Sequence, residues 1–290
     1  MNTQQADKKD DIKSILITGC SSGIGLYTAQ YLLKEGFQVF ATARKAEDVE
    51  RLKQLGLNSL QLDLNNSVSI KNAVIRIMDQ TGGRLYALFN NGAYGLPGAV
   101  EDLSREALRA QFETNVFGTF ELTNLILPVM RKQGYGRIIQ NSSILGFAAM
   151  PYRGAYNGSK FAIEGLTDTL RQELHNTNIH ISLIEPGPIV SDFRKNAYNA
   201  FKTFIDAKNS IHKDNYSSMI ERLNKEGPAA PFTLGPEAVC EKVVHALKSK
   251  RPQIRYYVTK PTYIMAYLKR LLSSRAMDWV LRKAGGDGKR

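Results

Sequence analysis

The stretch "SILITGCSSGIGLYTAQYLLKEG", Ser14 to Gly36, decides how the rest of the chain is read. A short apolar run rich in branched residues gives way to glycines at 19, 23 and 25, and then to a helix-forming segment. Glycines let the chain turn tightly and let backbone N–H groups approach a pyrophosphate at a helix amino terminus, where the dipole favours an anion. The spacing is not G-x-G-x-x-G, since three residues separate the first two glycines and one precedes the third. A plain glycine-rich strand-to-helix turn is the alternative that this stretch alone leaves open.

Outward from this turn the pattern repeats. "FQVFATA" (37–43), a helix near 47–55, "SLQLDL" (59–64), a helix near 67–80, "LYALFNN" (85–91), "GRIIQNSS" (136–143) and "IHISLIEPG" (179–187) alternate short strands with helices. That alternation predicts an α/β fold, a Rossmann-like doubly wound and mostly parallel sheet with helices on both faces. Ligands of such sheets bind beyond the carboxyl ends of the strands. A single domain is expected over 12–290, preceded by a polar tail at 1–11, because no repeat, linker or low-complexity tract interrupts the chain.

Composition narrows the function classes. The chain has 290 residues, of which 43% are apolar and 23% charged, which is the profile of a globular protein. Its two cysteines, Cys20 and Cys240, lack metal-like spacing, so neither a disulfide framework nor a metal site is expected. No signal peptide or membrane span is read at the amino end, and a cytoplasmic location is expected. The net charge of +12 is concentrated: 13 Lys and Arg against Asp278 and Asp287 leave +11 from Lys242 onward. With the remainder nearly neutral, the charge belongs to the carboxy-terminal region and does not argue for a nucleic-acid-binding domain.

The motifs together resemble those of the classical short-chain dehydrogenases/reductases over about residues 12 to 195. "TGCSSGIG" (18–25) resembles T-G-x-x-x-G-x-G, and "LDL" (62–64) resembles the segment with the adenine-contacting acid, here Asp63. "NNGAYG" (90–95) resembles N-N-A-G with Gly92 and Ala93 in reversed order. "ETNVFG" supplies Asn115, and "EPGPI" followed by Ser191 resembles P-G-x-x-x-T with serine for threonine. The resemblance implies a cofactor site built from Gly19, Ser21, Ser22, Gly23, Ile24, Gly25, Arg44, Asp63, Leu64, Asn91, Tyr156, Lys160, Pro186, Gly187, Ile189 and Ser191. Bacterial NADP-dependent aldehyde reductases, related to the 17β-hydroxysteroid and retinol dehydrogenase branch, are the nearest likeness, through "RGAY", "SLIEPGPI" and "FTLGPEAV".

Tyr156 and Lys160 in "AYNGSKFAIEGL" lie one turn apart on one helix face. Taken alone they read as a surface tyrosine and a solvated lysine. Ser143, thirteen residues before Tyr156, completes the family's serine-to-tyrosine interval, with Ser142 as the alternative. The resemblance makes Ser143, Tyr156, Lys160 and Asn115 the catalytic set. A free phenol has a pKa of about 10, and the Lys160 ammonium together with an oxidised nicotinamide is expected to draw it toward neutrality. Tyr156 then exchanges a proton with the substrate oxygen, Ser143 hydrogen-bonds that oxygen, Lys160 also holds the ribose, and Asn115 holds a water linking Lys160 to solvent.

NADP(H) is the expected cofactor. Where an NAD-preferring fold places an acid, this chain has Ala43 followed by Arg44 and Lys45, and a cation pairs with a 2′-phosphate. Arg44 is the main discriminator, with Ser21 as a helper. Residues 192–232 are expected to form a helical substrate lid whose inner face carries Tyr198, Phe201 and Ile205, with Met150 and Tyr152 completing the wall. The expected substrate is a small lipophilic carbonyl or alcohol, with reduction favoured. Residues 240–290 read as a basic helical extension that packs on the domain or a second subunit, the alternative being a membrane surface. The histidines at 175, 180, 212 and 245 are expected to be structural or surface residues, and a homo-oligomer is implied by the resemblance. An NADP(H)-binding sensor or non-catalytic subunit is the competing reading, against which the intact catalytic set argues.

Overall fold

A computed structural model describes residues 13–228 and 230–286. Seven strands, β1 (Ser14–Ile17), β2 (Gln38–Ala43), β3 (Asn58–Gln61), β4 (Ala87–Asn90), β5 (Gly136–Asn141), β6 (Ile179–Glu185) and β7 (Arg255–Tyr257), form one sheet in the order β3-β2-β1-β4-β5-β6-β7. Every pairing is parallel. Helices α1 (Gly23–Lys34), α2 (Ala46–Gln54), α3 (Ser67–Thr81), α4 (Arg105–Phe112), α5 (Thr119–Gln133) and α6 (Gly154–Glu173) connect the strands. After β6 come α7 (Phe193–Phe204), α8 (Lys213–Asn224) and α9 (Glu237–Lys248), and after β7 come α10 (Lys260–Leu271) and α11 (Ser274–Ala284).

The strand period of two sorts neighbouring side chains into two cores. Ile15, Ile17, Phe89, Ile139 and Ile184 point to the layer holding Ala29 and Leu32 of α1 and Val243 and Leu247 of α9. Leu16, Phe40, Leu88, Ile138 and Ile181 point the other way, onto Ile70 and Ile77 of α3 and Leu122 and Ile126 of α5. Both faces being covered explains why the strands read as unbroken apolar runs. A third core joins α7 and α8, through Ala197, Phe201, Ile205, Tyr216 and Met219, to Leu96 and Ala99 of the loop after β4. The inner face expected of 192–232 is therefore observed, as two helices.

The basic stretch 240–290 is more deeply built into the fold than a helical extension. Val239, Cys240, Val243, Ala246 and Leu247 of α9 are buried in the main core, and β7 completes the sheet beside β6. The strand is only three residues long, Arg255–Tyr257, and pairs with the edge of β6 through Leu183, Ile184 and Glu185.

Because the chain leaves β1 toward β2 and β3 and later returns to place β4 on β1's other side, a crevice opens above the carboxyl ends of β1 and β4. Between α4 and α5 the helix widens into a π turn, Glu113–Gly118, that carries Asn115 into the interior. Gly118 is obligatory there, since a Cβ would lie 1.9 Å from the Leu64 carbonyl oxygen. Gly118→Ala is expected to lower stability by about 2–3 kcal/mol, measured as a reduced urea midpoint, because neither backbone segment can give way.

Candidate active site

The glycine turn sits over the crevice. Gly19 and Gly23 have φ of +70° and +55°, a region L side chains avoid, and a Cβ on Gly25 would lie 2.3 Å from the Gly19 carbonyl oxygen. Asn91 clamps the turn: its Nδ2 donates to the carbonyls of Thr18 (3.0 Å) and Gly19 (3.1 Å), and its Oδ1 accepts from Asn141 Nδ2 at 2.9 Å. Thr18 Oγ1 accepts from the N–H groups of Asn91 and Gly92 at 2.9 and 2.8 Å. Asn91 and Gly92 thereby shape the loop, and the reversed Gly92–Ala93 order is accommodated: a Cβ at 92 would press on Leu64 and Thr18 at 3.2 Å.

The first turn of α1 fits a pyrophosphate. Ser22 occupies the N-cap position without a side-chain hydrogen bond to the helix, and the first turn carries no acid. By contrast, Asn66 caps α3 through Val68 and Ser69, and Ser104 caps α4 through Ala107. The first N–H groups of α1 are thus left without a side-chain partner, as an anion-binding helix terminus requires. Ser191 packs against Gly23, and Gly187 is wedged against Thr259, where a Cβ would sit 2.1 Å from Oγ1. The Pro186 carbonyl accepts from Ile144 N at 2.8 Å, and Ile189 forms a parallel bridge with Leu234. Leu64 is buried, while the Asp63 carboxylate accepts from Asn65 N at 3.0 Å.

Arg44 is exposed at the end of β2, its carbonyl accepting from Gln61 Nε2 at 2.9 Å. Its charge opposes the upward shift that burial gives the Tyr94 phenol. Arg51 escaped the sequence reading. It donates to the Ser21 carbonyl while paired with Asp48 at 2.8 Å, placing a second guanidinium on the turn. Lys45 is instead paired with Glu47 at 3.0 Å.

Ser143, Tyr156 and Lys160 converge beside this crevice. Ser143 hydrogen-bonds the Tyr156 phenol, and its Oγ also accepts from Leu145 N at 3.1 Å. Ser142 points elsewhere: its Oγ and Glu164 Oε1 would lie 2.6 and 3.0 Å from a Cβ on Gly146. Lys160 Nζ stands 5.6 Å from the Tyr156 ring centre and donates to the Asn141 carbonyl at 2.6 Å. Asn115 Oδ1 accepts from Tyr94 N at 3.2 Å, and its Nδ2 donates to the Tyr94 carbonyl (2.9 Å) and Ser159 Oγ (3.0 Å). Its side chain is thus committed to the frame, linking the π turn to α6.

Burial sets the protonation states. It pushes the Tyr156 phenol above its ordinary value, the Ser143 hydrogen bond opposing. Burial also pulls Lys160 down to about 8, with Glu164 opposing. Behind Lys160, Arg255 of β7 pairs with Glu164, with Glu185 at 2.5 Å and with Asp168 at 2.5 Å. Burial first, then the Glu164 charge, pushes Glu185 up to about 8.

Phe193, at the start of α7, sets its ring 5.2 Å from that of Tyr156 and covers Gly95. Met150 packs with α10 and α11, in the cluster that also touches Tyr156. Tyr152 belongs to the α8 side: its hydroxyl meets His212 Nδ1 at 3.2 Å and accepts from Asn215 Nδ2 at 2.6 Å. His212 Nε2 in turn lies 2.6 Å from Glu101. Among the described residues no group of His, Cys, Asp and Glu is arranged to hold a metal.

A parallel sheet in this order, with an uncapped glycine turn at its switch point, defines a dinucleotide-binding protein of the Rossmann-like class. A family model for short chain dehydrogenase matches residues 13–201, and the chain belongs to that family of oxidoreductases. It is 42% identical over 270 residues to the uncharacterized oxidoreductase YbbO of Escherichia coli K12, covering 93% of this chain and 94% of that one. It is 35% identical to the 3-ketodihydrosphingosine reductase of Bacteroides thetaiotaomicron, covering 92% and 96%. It is 33% identical to human 17-beta-hydroxysteroid dehydrogenase type 1, covering 85% and 77%.

The Lys160 shift has a testable sign. With a native pKa near 8 against 10.5 in the unfolded chain, the native state binds fewer protons between those values, so the cost of the buried ammonium falls as pH rises through them. Lys160→Met is expected to be more stable than the parent by about 1–3 kcal/mol near pH 7, with the difference shrinking toward pH 10 in urea titrations.

Proposed function

We propose that this chain is an NADP(H)-dependent carbonyl reductase acting on lipophilic aldehydes or ketones. The observation that carries the reading is the convergence of Ser143, Tyr156 and Lys160 beside the uncapped first turn of α1. Bound NADPH supplies a hydride to the carbonyl carbon. The N–H groups of the first turn hold the pyrophosphate, and Arg44 and Arg51 face the adenosine 2′-phosphate where an NAD-specific site has an acid. Lys160 holds the nicotinamide ribose hydroxyls and keeps positive charge beside the phenol.

Ser143 donates a hydrogen bond to the substrate oxygen and fixes the carbonyl against Tyr156. Tyr156 gives its proton to that oxygen as negative charge develops. A phenol lifted by burial is protonated at neutral pH, which supports the reducing direction. Lys160, with an ammonium near 8, returns the proton. Because the Asn115 side chain is committed to Tyr94 and Ser159, a water serving this relay is held by the Asn115 main-chain carbonyl.

The walls around Tyr156 are apolar. Phe193 and Tyr94 lie on the α7–α8 side, and Leu145, Met150 and Met265 on the other. The names of the relatives, a reductase of a long-chain ketone and a hydroxysteroid dehydrogenase, support a lipophilic substrate. The exposed Leu108, Phe117 and Leu166, on α4, the π turn and α6, favour a homo-oligomer as the working form.

The test is NADPH oxidation against a panel from short aldehydes to long-chain and steroid ketones, with NADH in parallel. Turnover is expected on apolar carbonyls with NADPH, and Tyr156→Phe is expected to lose about a hundredfold or more in kcat while still binding NADPH. Unchanged turnover in Tyr156→Phe would remove the acid role from this residue.

A further inference from the structure

The carboxy-terminal hairpin has one face occupied and one face exposed. Met265 of α10 and Met277 and Leu281 of α11 are buried together against Ile144, Leu145 and Ala148. Since both helices bury against the same segment, their opposite faces turn away from the domain. On α10 that outer face carries Ile264, Tyr267 and Leu271, at the three- and four-residue spacing of a helical stripe, with Leu271 79% exposed, while Tyr263 packs its ring against Tyr257 of β7. On α11 it carries Trp279, 58% exposed. Lys260, Arg270, Arg275, Arg282 and Lys283 border these side chains along the two helices, against the single acid Asp278, while Lys269 turns inward and donates to the Phe147 carbonyl at 2.5 Å.

We propose that this outer face docks on an anionic lipid bilayer, with α10 and α11 lying in the plane of the interface. Exposed aromatic and aliphatic side chains bordered by cations are what the headgroup region accepts: the apolar groups enter the acyl boundary while the cations meet lipid phosphates. Twelve residues in α10 and eleven in α11 are too few to span, and no described helix is long and apolar enough to cross a membrane. A second copy is the poorer occupant, because two such faces, each bordered by several cations and the single acid Asp278, repel. Nucleic acid satisfies the cations but gives Ile264, Leu271 and Trp279 no apolar partner.

The location has a consequence for supply. The hairpin's buried side contributes to the cluster that touches Tyr156, so the helices that meet the bilayer also wall the candidate site. A lipophilic carbonyl dissolved in the membrane is then held beside the wall of the candidate site. This delivery step rests on the carbonyl reductase reading, whereas the docking does not.

Trp279 is the only tryptophan in the chain and reports directly. Full-length protein is mixed with vesicles of phosphatidylcholine alone or with about 30% phosphatidylglycerol. The expected result is a blue shift of Trp279 emission and co-sedimentation with the anionic vesicles only, both reduced at about 0.5 M salt. Ile264→Ser with Leu271→Ser is expected to weaken sedimentation about tenfold or more without moving the thermal midpoint. Arg270→Gln with Arg275→Gln is expected to weaken it about tenfold. Unmoved emission with all protein in the supernatant overturns the proposal, as does equal binding to neutral vesicles. Self-association or duplex binding lost in these variants, without vesicle binding, assigns the face to another occupant and overturns it too. Vesicle binding without turnover of any carbonyl leaves the docking standing and removes only the delivery step.

Discussion

The N–H donors in the first turn of α1 have no partner on the Ser22 side chain, and the surrounding architecture keeps them so. Where a side chain caps a helix here, as Asn66 does for α3 and Ser104 for α4, it occupies the donors an anion would use. At α1 the chain instead spends glycines: Gly25 allows the Gly19 carbonyl to pass within a distance no Cβ tolerates, and Gly19 and Gly23 take left-handed backbone. Asn91 then locks the turn to β4 and, through Asn141, to β5. Asn141 is also where Lys160 is tethered, so one hydrogen-bonded chain runs from the anion-binding turn to the candidate proton-transfer site.

Around Lys160 the fold maintains buried charge at a cost. Glu164 and Glu185 are nearly or wholly buried, and Arg255 must reach both from the edge strand. Removing one partner from such a cluster leaves an uncompensated buried charge, a loss of about 3–5 kcal/mol. The short β7 therefore has a role beyond completing the sheet: it brings in the cation that lets Glu164 stand one turn from Lys160 and keep its ammonium charged near neutral pH. Tyr156 carries the opposite burden, its phenol pushed above its ordinary value by burial with the Ser143 hydrogen bond opposing.

Much of this was legible in sequence where the signal is local. The strands announced themselves because both faces of the sheet are covered, the glycine turn and the Tyr156–Lys160 pair because each lies within one element, and Asn115 and Ser143 through the family motifs they resemble. What escaped depends on the return path of the chain. Arg51 reaches Ser21 from α2, Phe193 covers Tyr156 from α7, and Arg255 joins Glu164 from a strand of three residues. None of these pairs is near in sequence. Tyr152 was expected at the substrate wall but turns to His212 and Asn215, its backbone φ of +58° redirecting the side chain. The raising of the Tyr156 phenol by burial was not legible because charge can be counted from sequence whereas desolvation cannot.

The central claim is that the open first turn of α1 is a pyrophosphate site flanked by cations selective for a 2′-phosphate. Calorimetric titration of the chain with NADPH and with NADH tests it most directly. Saturable binding of one NADPH per chain, at least about tenfold tighter than NADH, is the predicted result. Absence of binding by either nucleotide would contradict the anion site, and tighter binding of NADH would contradict the role of Arg44 and Arg51.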